Sequence, residues 1–180
     1  MEAIDALRQL IPDHSKDLKL NLQSVISQSK LTPARTWGVV IASAIASDSQ
    51  QLANAAVADA KAAGVDEAVI EDARAAASLM AMNNVYYRFR HFMADTDNGA
   101  DYQNMPARLR MNRIARPAGE KIDFELICLA VSAINGCEMC VQSHEKVVVG
   151  GGVTKDEVHD SVRIAATIRG AATALSQRPA

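Results

Sequence analysis

The stretch KIDFELICLAVSAINGCEMCVQSH, from Lys121 to His144, decides how the rest of the chain is read. Lys121–Asn135 is apolar and lacks strand-like alternation, so it reads as a buried helix. Asn135-Gly136 is a helix stop, and a second helix is expected over about Cys137–Val149. Cys140 then lies one turn into that helix and His144 one turn further, both on the face that carries Cys137. Free N–H groups and the positive end of the helix dipole favour a thiolate there, drawing a thiol down from its usual pKa of about 8.5. Glu125 sits on the preceding helix, far enough back that antiparallel or crossed packing brings its carboxylate to His144 and orients the ring.

Working outward, nearly every other segment also reads as helix. Glu2–Leu10 is a short amphipathic run, and Lys16–Ser27 places Leu18, Leu22, Val25 and Ile26 on one face. Thr32-Pro33 is a helix start, with a capping hydroxyl followed by a ring that needs no N–H partner, and the helix is expected to reach about Ser47. Ala-rich helices follow over about Ser49–Ala63 and Asp66–Met93. Asp95–Pro106 reads as an irregular connection and hinge between halves. Beyond it come a short helix near Ala107–Ala115, a Gly150-Gly151-Gly152 turn after the Cys helix, and a last helix from Thr154 to about Leu175.

These elements make an all-α fold in one domain over residues 1–180. A weak internal repeat relates about 33–94 to about 121–176. Ser43-Ala44-Ile45 matches Ser132-Ala133-Ile134, and Gly64-Val65 matches Gly152-Val153. In that alignment Asp48 and Gln51 stand where the second half has Cys137 and Cys140.

Composition narrows the function. The 19 Lys and Arg against 21 Asp and Glu give a net charge of −2, so no nucleic-acid partner is expected. Leu126–Ile134, the longest uncharged apolar run, is about half of the roughly 20 residues that span a bilayer, so no membrane partner is expected either. Met1–Asp17 carries four acids and no apolar run, which does not read as a secretory signal; a cytosolic location is expected. In a reducing compartment, two cysteines spaced as Cys137 and Cys140 point to thiol–disulfide chemistry or to metal. Spacing leaves three readings open: a redox pair, a zinc site of Cys137, Cys140, His144 and Glu125, or two small hydrophobes in a helix.

The remaining candidates are weaker. Cys128 reads as a core residue, and His14, His91 and His159 as surface or capping residues. Arg88, Arg90, His91, Arg108, Arg110, Arg113 and Arg116 read as a surface face or as ion pairs between subunits. Met80, Met82, Met93, Met105 and Met111 read as core filler, and the glycine run lacks the Lys-Ser/Thr of a phosphate loop.

The chain also resembles a known family, the alkyl hydroperoxidase D (AhpD) proteins. The resemblance runs through Asp17-Leu18-Lys19-Leu20-Asn21-Leu22, Trp37-Gly38, Met82-Asn83-Asn84-Val85-Tyr86-Tyr87-Arg88 and Leu109-Arg110-Met111-Asn112. It is most specific in Phe124-Glu125-Leu126 and in Ala130–Cys137 with Cys140 and His144-Glu145. It implies an all-helical fold with an internal duplication, a homotrimer, and a thiol peroxidase with no tightly bound cofactor. The implied electron donor is protein-bound dihydrolipoamide on a lipoylated acyltransferase, with electrons also passed to the peroxiredoxin AhpC. Carried onto this chain, Cys140 resembles the peroxide-attacking thiolate, Cys137 the resolving thiol, and Glu125 and His144 a proton relay. Met139 departs from the pattern, since the family commonly has histidine before the second cysteine and a thioether relays no proton. The alternatives are a carboxymuconolactone decarboxylase-like enzyme, which needs no cysteine pair, and a zinc-stabilised helical interaction module.

Overall fold

The architecture is described from a computed structural model covering Met1–Gln177. Ten α-helices follow one another among these residues: α1 (Glu2–Gln9), α2 (Lys16–Ser27), α3 (Pro33–Ala46), α4 (Gln50–Ala62), α5 (Glu67–Met93), α6 (Gly99–Asn104), α7 (Asn112–Ala115), α8 (Lys121–Ile134), α9 (Glu138–Gly150) and α10 (Lys155–Ser176). None is long and apolar enough to cross a membrane. Two of them form the centre. In α3 every residue from Thr36 to Ala44 is buried, and in α8 every residue from Phe124 to Ser132. A helix apolar on all sides must be covered on all sides. Accordingly α3 and α8 pack on each other and both pack on α5 and α10. Gly38 permits the close approach, because a Cβ there would lie 2.7 Å from Ile127 Cδ1.

The helices α3–α4–α5 and α8–α9–α10 share one pattern. The first members have 14 residues each and the second members 13 each, and both second members end at a left-handed glycine, Gly64 (φ 74°) and Gly152 (φ 92°). Backbone bonds fix the equivalence at an offset of 88. Ser49 N–H donates to Ala44 O at 3.2 Å and Cys137 N–H to Ser132 O at 3.1 Å. Asp48 (φ 55°) and Gly136 (φ 66°) are then the matching left-handed residues. The counterparts of Cys137 and Cys140 are therefore Ser49 and Leu52, one residue later than the sequence match of Asp48 and Gln51 suggests.

Two buried aspartates join these units with the same offset. Asp160 on α10 accepts from the N–H of Lys30, just ahead of α3, at 2.8 Å. Asp72 on α5 accepts from the N–H of Ala118 at 2.9 Å and of Gly119 at 2.7 Å, just ahead of α8. Each carboxylate so fixes where the other unit's central helix begins. Arg35 adds a third tie, its Nε 2.6 Å from Asp123 on α8 and its Nη1 2.7 Å from Glu157 on α10.

Two segments differ from expectation. Asp95–Pro106 contains α6, held to α5 because Gln103 Nε2 donates to Arg90 O at 2.7 Å and Arg90 donates back to Gln103 O. Six residues with little apolar periodicity carry no sequence signal, and tertiary bonds supply the stability. Conversely, only Asn112–Ala115 of Ala107–Ala115 is helical, with Arg108 left-handed at φ 51°.

Candidate active site

Cys137 is the N-cap of α9 and lies outside the helix, where the sequence placed it as the first helical residue. It makes no side-chain cap bond, and the first intrahelical bond runs from Val141 N–H to Cys137 O at 3.0 Å. The N–H groups of Glu138, Met139 and Cys140 thus precede the hydrogen-bonded ladder and point positive partial charge toward the sulfurs. Cys137 and Cys140 are joined in a disulfide, their Cα atoms 5.3 Å apart. Cys137 is 1% exposed and Cys140 8%.

The packing of α8 on α9 brings Glu125 to His144, with Oε2 2.6 Å from Nδ1 and both side chains largely buried. With Glu125 ionised, Nδ1–H donates and Nε2 is left as the basic nitrogen. Glu125, His144 and Cys140 border a common cleft of about 380 Å³. Its walls are largely apolar, from Tyr87 on α5, Met111 and Ile114 beside and on α7, and Met139 and Val147 on α9. Two larger hollows, about 500 Å³ beside Arg88 and about 470 Å³ beside Ser49, are bordered by none of the four candidate residues.

Sequence reading missed what α5 does here. Asn84 Nδ2 donates to Ser132 Oγ at 3.0 Å, Asn135 Nδ2 donates to Asn84 Oδ1 at 2.9 Å, and Arg88 donates to Asn135 O. His91 Nε2 lies 3.4 Å from Glu138 Oε2. Asn84, Arg88 and His91 recur at helical spacing, so one stripe of α5 grips the turn that presents the cysteines. The available signal was Asn83-Asn84, two amides in succession within the uncharged run Ala75–Tyr87.

The chain is 57% identical to the alkyl hydroperoxide reductase AhpD of Anaeromyxobacter dehalogenans (strain 2CP-C) over 97% of its own length and 91% of that protein's. It is 50% identical to the alkyl hydroperoxide reductase AhpD of Brucella abortus (strain 2308), over 96% of each chain. The chain belongs to the AhpD family. The Carboxymuconolactone decarboxylase family also matches, over residues 100–180, and AhpD proteins lie within that superfamily.

The other candidate residues of this AhpD-family chain have separate places in the fold. The zinc arrangement needs Cys137, Cys140, His144 and Glu125 around one point, whereas here the sulfurs bond to each other and Glu125 pairs with His144. No cluster of three or more metal-ligating side chains occurs among the described residues. Cys128 is fully buried on α8, and burial, then the charges of Glu125 and Asp72, push its thiol well above the usual range. The arginine cluster divides: Arg113 pairs with Asp72 and Glu71, both at 2.9 Å, while Arg88 and Arg90 bond to backbone carbonyls. The methionines divide too, since Met80 is core, Met111 lines the cleft and Met105 is 53% exposed.

Proposed function

We propose that this chain is an alkyl hydroperoxide reductase acting through Cys140 and Cys137. The observation that carries the reading is that Cys140, and not Cys137, borders an apolar-walled cleft shared with a hydrogen-bonded Glu125–His144 pair. In the dithiol form, His144 Nε2 takes the Cys140 proton, and Glu125 steadies the imidazolium through Nδ1. The thiolate attacks the terminal oxygen of the hydroperoxide. An S–O bond forms as the O–O bond breaks, the alcohol leaves, and Cys140 becomes a sulfenic acid. Cys137 then attacks that sulfur, water leaves, and the disulfide closes with both electrons of the pair transferred. Protein-bound dihydrolipoamide returns two electrons and two protons, and the reduced pair also supplies AhpC. Assembly as a homotrimer belongs to the same proposal.

The test is consumption of tert-butyl hydroperoxide with dihydrolipoamide as reductant, beside Cys140→Ser. The expected result is turnover by wild type, loss of two thiols on oxidation, and no turnover above background in the variant. Equal inactivity of both proteins would overturn the reading.

A further inference from the structure

The cleft is larger than a small hydroperoxide needs, and its charge changes along its length. At about 380 Å³ it falls within the range of roughly 300–1,000 Å³ that holds a drug-sized ligand. Its lining on α9 recurs as Met139, Cys140, Ser143, His144 and Val147, so the cleft runs along that helix from the first turn toward the end. Lys146 comes three residues after Ser143 and seven after Met139. Helical spacing sets it on the border of the same face, beside Val147 and far from the disulfide. At the near end the acid of the first turn, Glu138, is engaged by His91 and Gln142. Glu145 is about 100° round the helix from both His144 and Lys146, outside the cleft stripe. The facing wall is basic as well. Met111 and Ile114 belong to Ala107–Gly119, a stretch with four arginines and no acid. Glu71 and Asp72 take up Arg113, whereas Arg108, Arg110, Arg116 and Lys146 are exposed and have no ion-pair partner among the described residues.

We propose that the far end of the cleft binds a carboxylate through Lys146, supported by Arg110 on the facing wall, and that the substrate is the hydroperoxide of a long-chain carboxylic acid. The assignment rests on the peroxidase reading above and narrows its substrate class. The hydroperoxide group meets Cys140, the hydrocarbon chain lies along the apolar walls, and the carboxylate reaches the basic rim. The alcohol released is then a hydroxy acid. Lengths agree with this placement. Lys146 is six residues past Cys140, an advance of about 9 Å along α9. A carbon chain of about eight bonds extends roughly 10 Å, at the ~1.2 Å per bond of an extended backbone. A carboxylate that far from the peroxidised carbon arrives at the ammonium when the peroxide arrives at the sulfur. The acid at the opposite end, Glu138, disfavours the reversed orientation.

The test uses the fully reduced protein in a single turnover, so that no reductant enters the result. The first substrate is the linoleic acid hydroperoxide whose peroxide carbon lies about eight bonds from the carboxyl carbon. Its methyl ester, which keeps the chain and loses the charge, is the second, and both are used below their micelle concentrations. In wild type the acid should react about 3- to 5-fold faster than the ester, the scale of one exposed ion pair, and high salt should erase the difference. Lys146→Gln should bring the acid-to-ester ratio to about 1, Lys146→Glu should invert it, and Arg110→Gln should lower it by less. Equal rates for acid and ester in wild type overturn the assignment. A ratio that Lys146→Glu leaves unchanged also overturns it, even if both rates fall, since Lys146 would then act on the fold or on Cys140. Wild type that reduces tert-butyl hydroperoxide without preferring the acid overturns the carboxylate assignment alone. A reduced wild type that consumes no hydroperoxide faster than Cys140→Ser overturns the peroxidase reading and this assignment together.

Discussion

The turn between α3 and α4 and the turn between α8 and α9 share a backbone and differ in chemistry. Each has a left-handed residue followed by an N-cap. In the first, Ser49 caps α4 by accepting from Leu52 N–H at 3.4 Å, and Leu52 is fully buried. In the second, the cap position holds Cys137 without a cap bond, and Cys140 replaces Leu52. The counterparts of Glu125 and His144 in the first unit are Trp37 and Ala56, both buried and apolar. One turn therefore completes a helix start and packs a core, while the other leaves its N–H groups free and gathers titratable side chains around a sulfur. The scaffold sets positions; the side chains placed on it decide whether they stabilise or react.

That contrast is tested most severely by making the second turn resemble the first. Cys137→Ser copies Ser49 and removes the resolving thiol. Steady-state turnover should vanish, while one oxidation of Cys140 per chain persists, read by comparing burst with steady-state hydroperoxide consumption. The reduced variant should also gain about 1 kcal/mol over reduced wild type from the restored cap, seen in urea unfolding.

His144→Ala copies Ala56 and leaves the disulfide chemistry possible but unassisted. Single-turnover oxidation at neutral pH should slow by about 100-fold, the scale of a lost general base, and recover in part as pH rises toward the free-thiol range. A pH profile identical to that of wild type would remove His144 from the proton path.

The backbone side of the comparison predicts smaller effects. A Cβ at Gly136 meets nothing within 4 Å, so Gly136→Ala tests the left-handed conformation alone. It should cost about 1 kcal/mol, a fall in Tm of about 2–4 °C by thermal unfolding. The reverse exchange at the matching position, Asp48→Gly, should move Tm by less than about 2 °C, because relieved strain is offset by the freedom glycine gains in the unfolded chain.

The smallest expected effect separates the starts of α5 and α10. Asp66 alone caps α5, accepting from Ala68 N–H at 2.8 Å, whereas Thr154 and Glu157 form a reciprocal capping box on α10. The Thr154 backbone N–H first, then the Thr154 hydroxyl and Arg35, hold the Glu157 carboxyl below its usual range. A lowered folded pKa means the contribution is present above the unfolded value and lost as pH falls through the folded one. Glu157→Gln should thus cost about 0.5 kcal/mol at pH 7, discounted for partial exposure, and the gap to wild type should close below about pH 4 in urea titrations.

The legible parts of this protein were those coded locally. Thr32-Pro33, Asn135-Gly136 and Gly152-Val153-Thr154 mark helix ends through caps and left-handed residues that act within one turn, so most helix bounds could be read within a residue or two. Cys137, Cys140 and His144 share a face because of helical spacing alone. Reading Cys137 as helical missed by one residue, because an N-cap is half inside the helix, and that residue decides that its N–H neighbours stay free. The one-residue slip in the repeat arose because Ser-Ala-Ile matches by composition, while hydrogen bonds in the turns set the true offset.

The sequence by itself determined an all-helical chain and a cysteine pair at a helix start with an imidazole one turn on, since each follows from spacing over fewer than about 20 residues; the carboxylate of Glu125 reaches that imidazole only through the packing of α8 on α9. Only the tertiary structure decided which sulfur meets the cleft and that α5 grips the cysteine turn through Asn84 and Arg88. Those facts depend on how α5, α7, α8 and α9 cross. That crossing is set by burial of α3 and α8 on every side and by two aspartates reaching between units, interactions that join residues more than 40 positions apart.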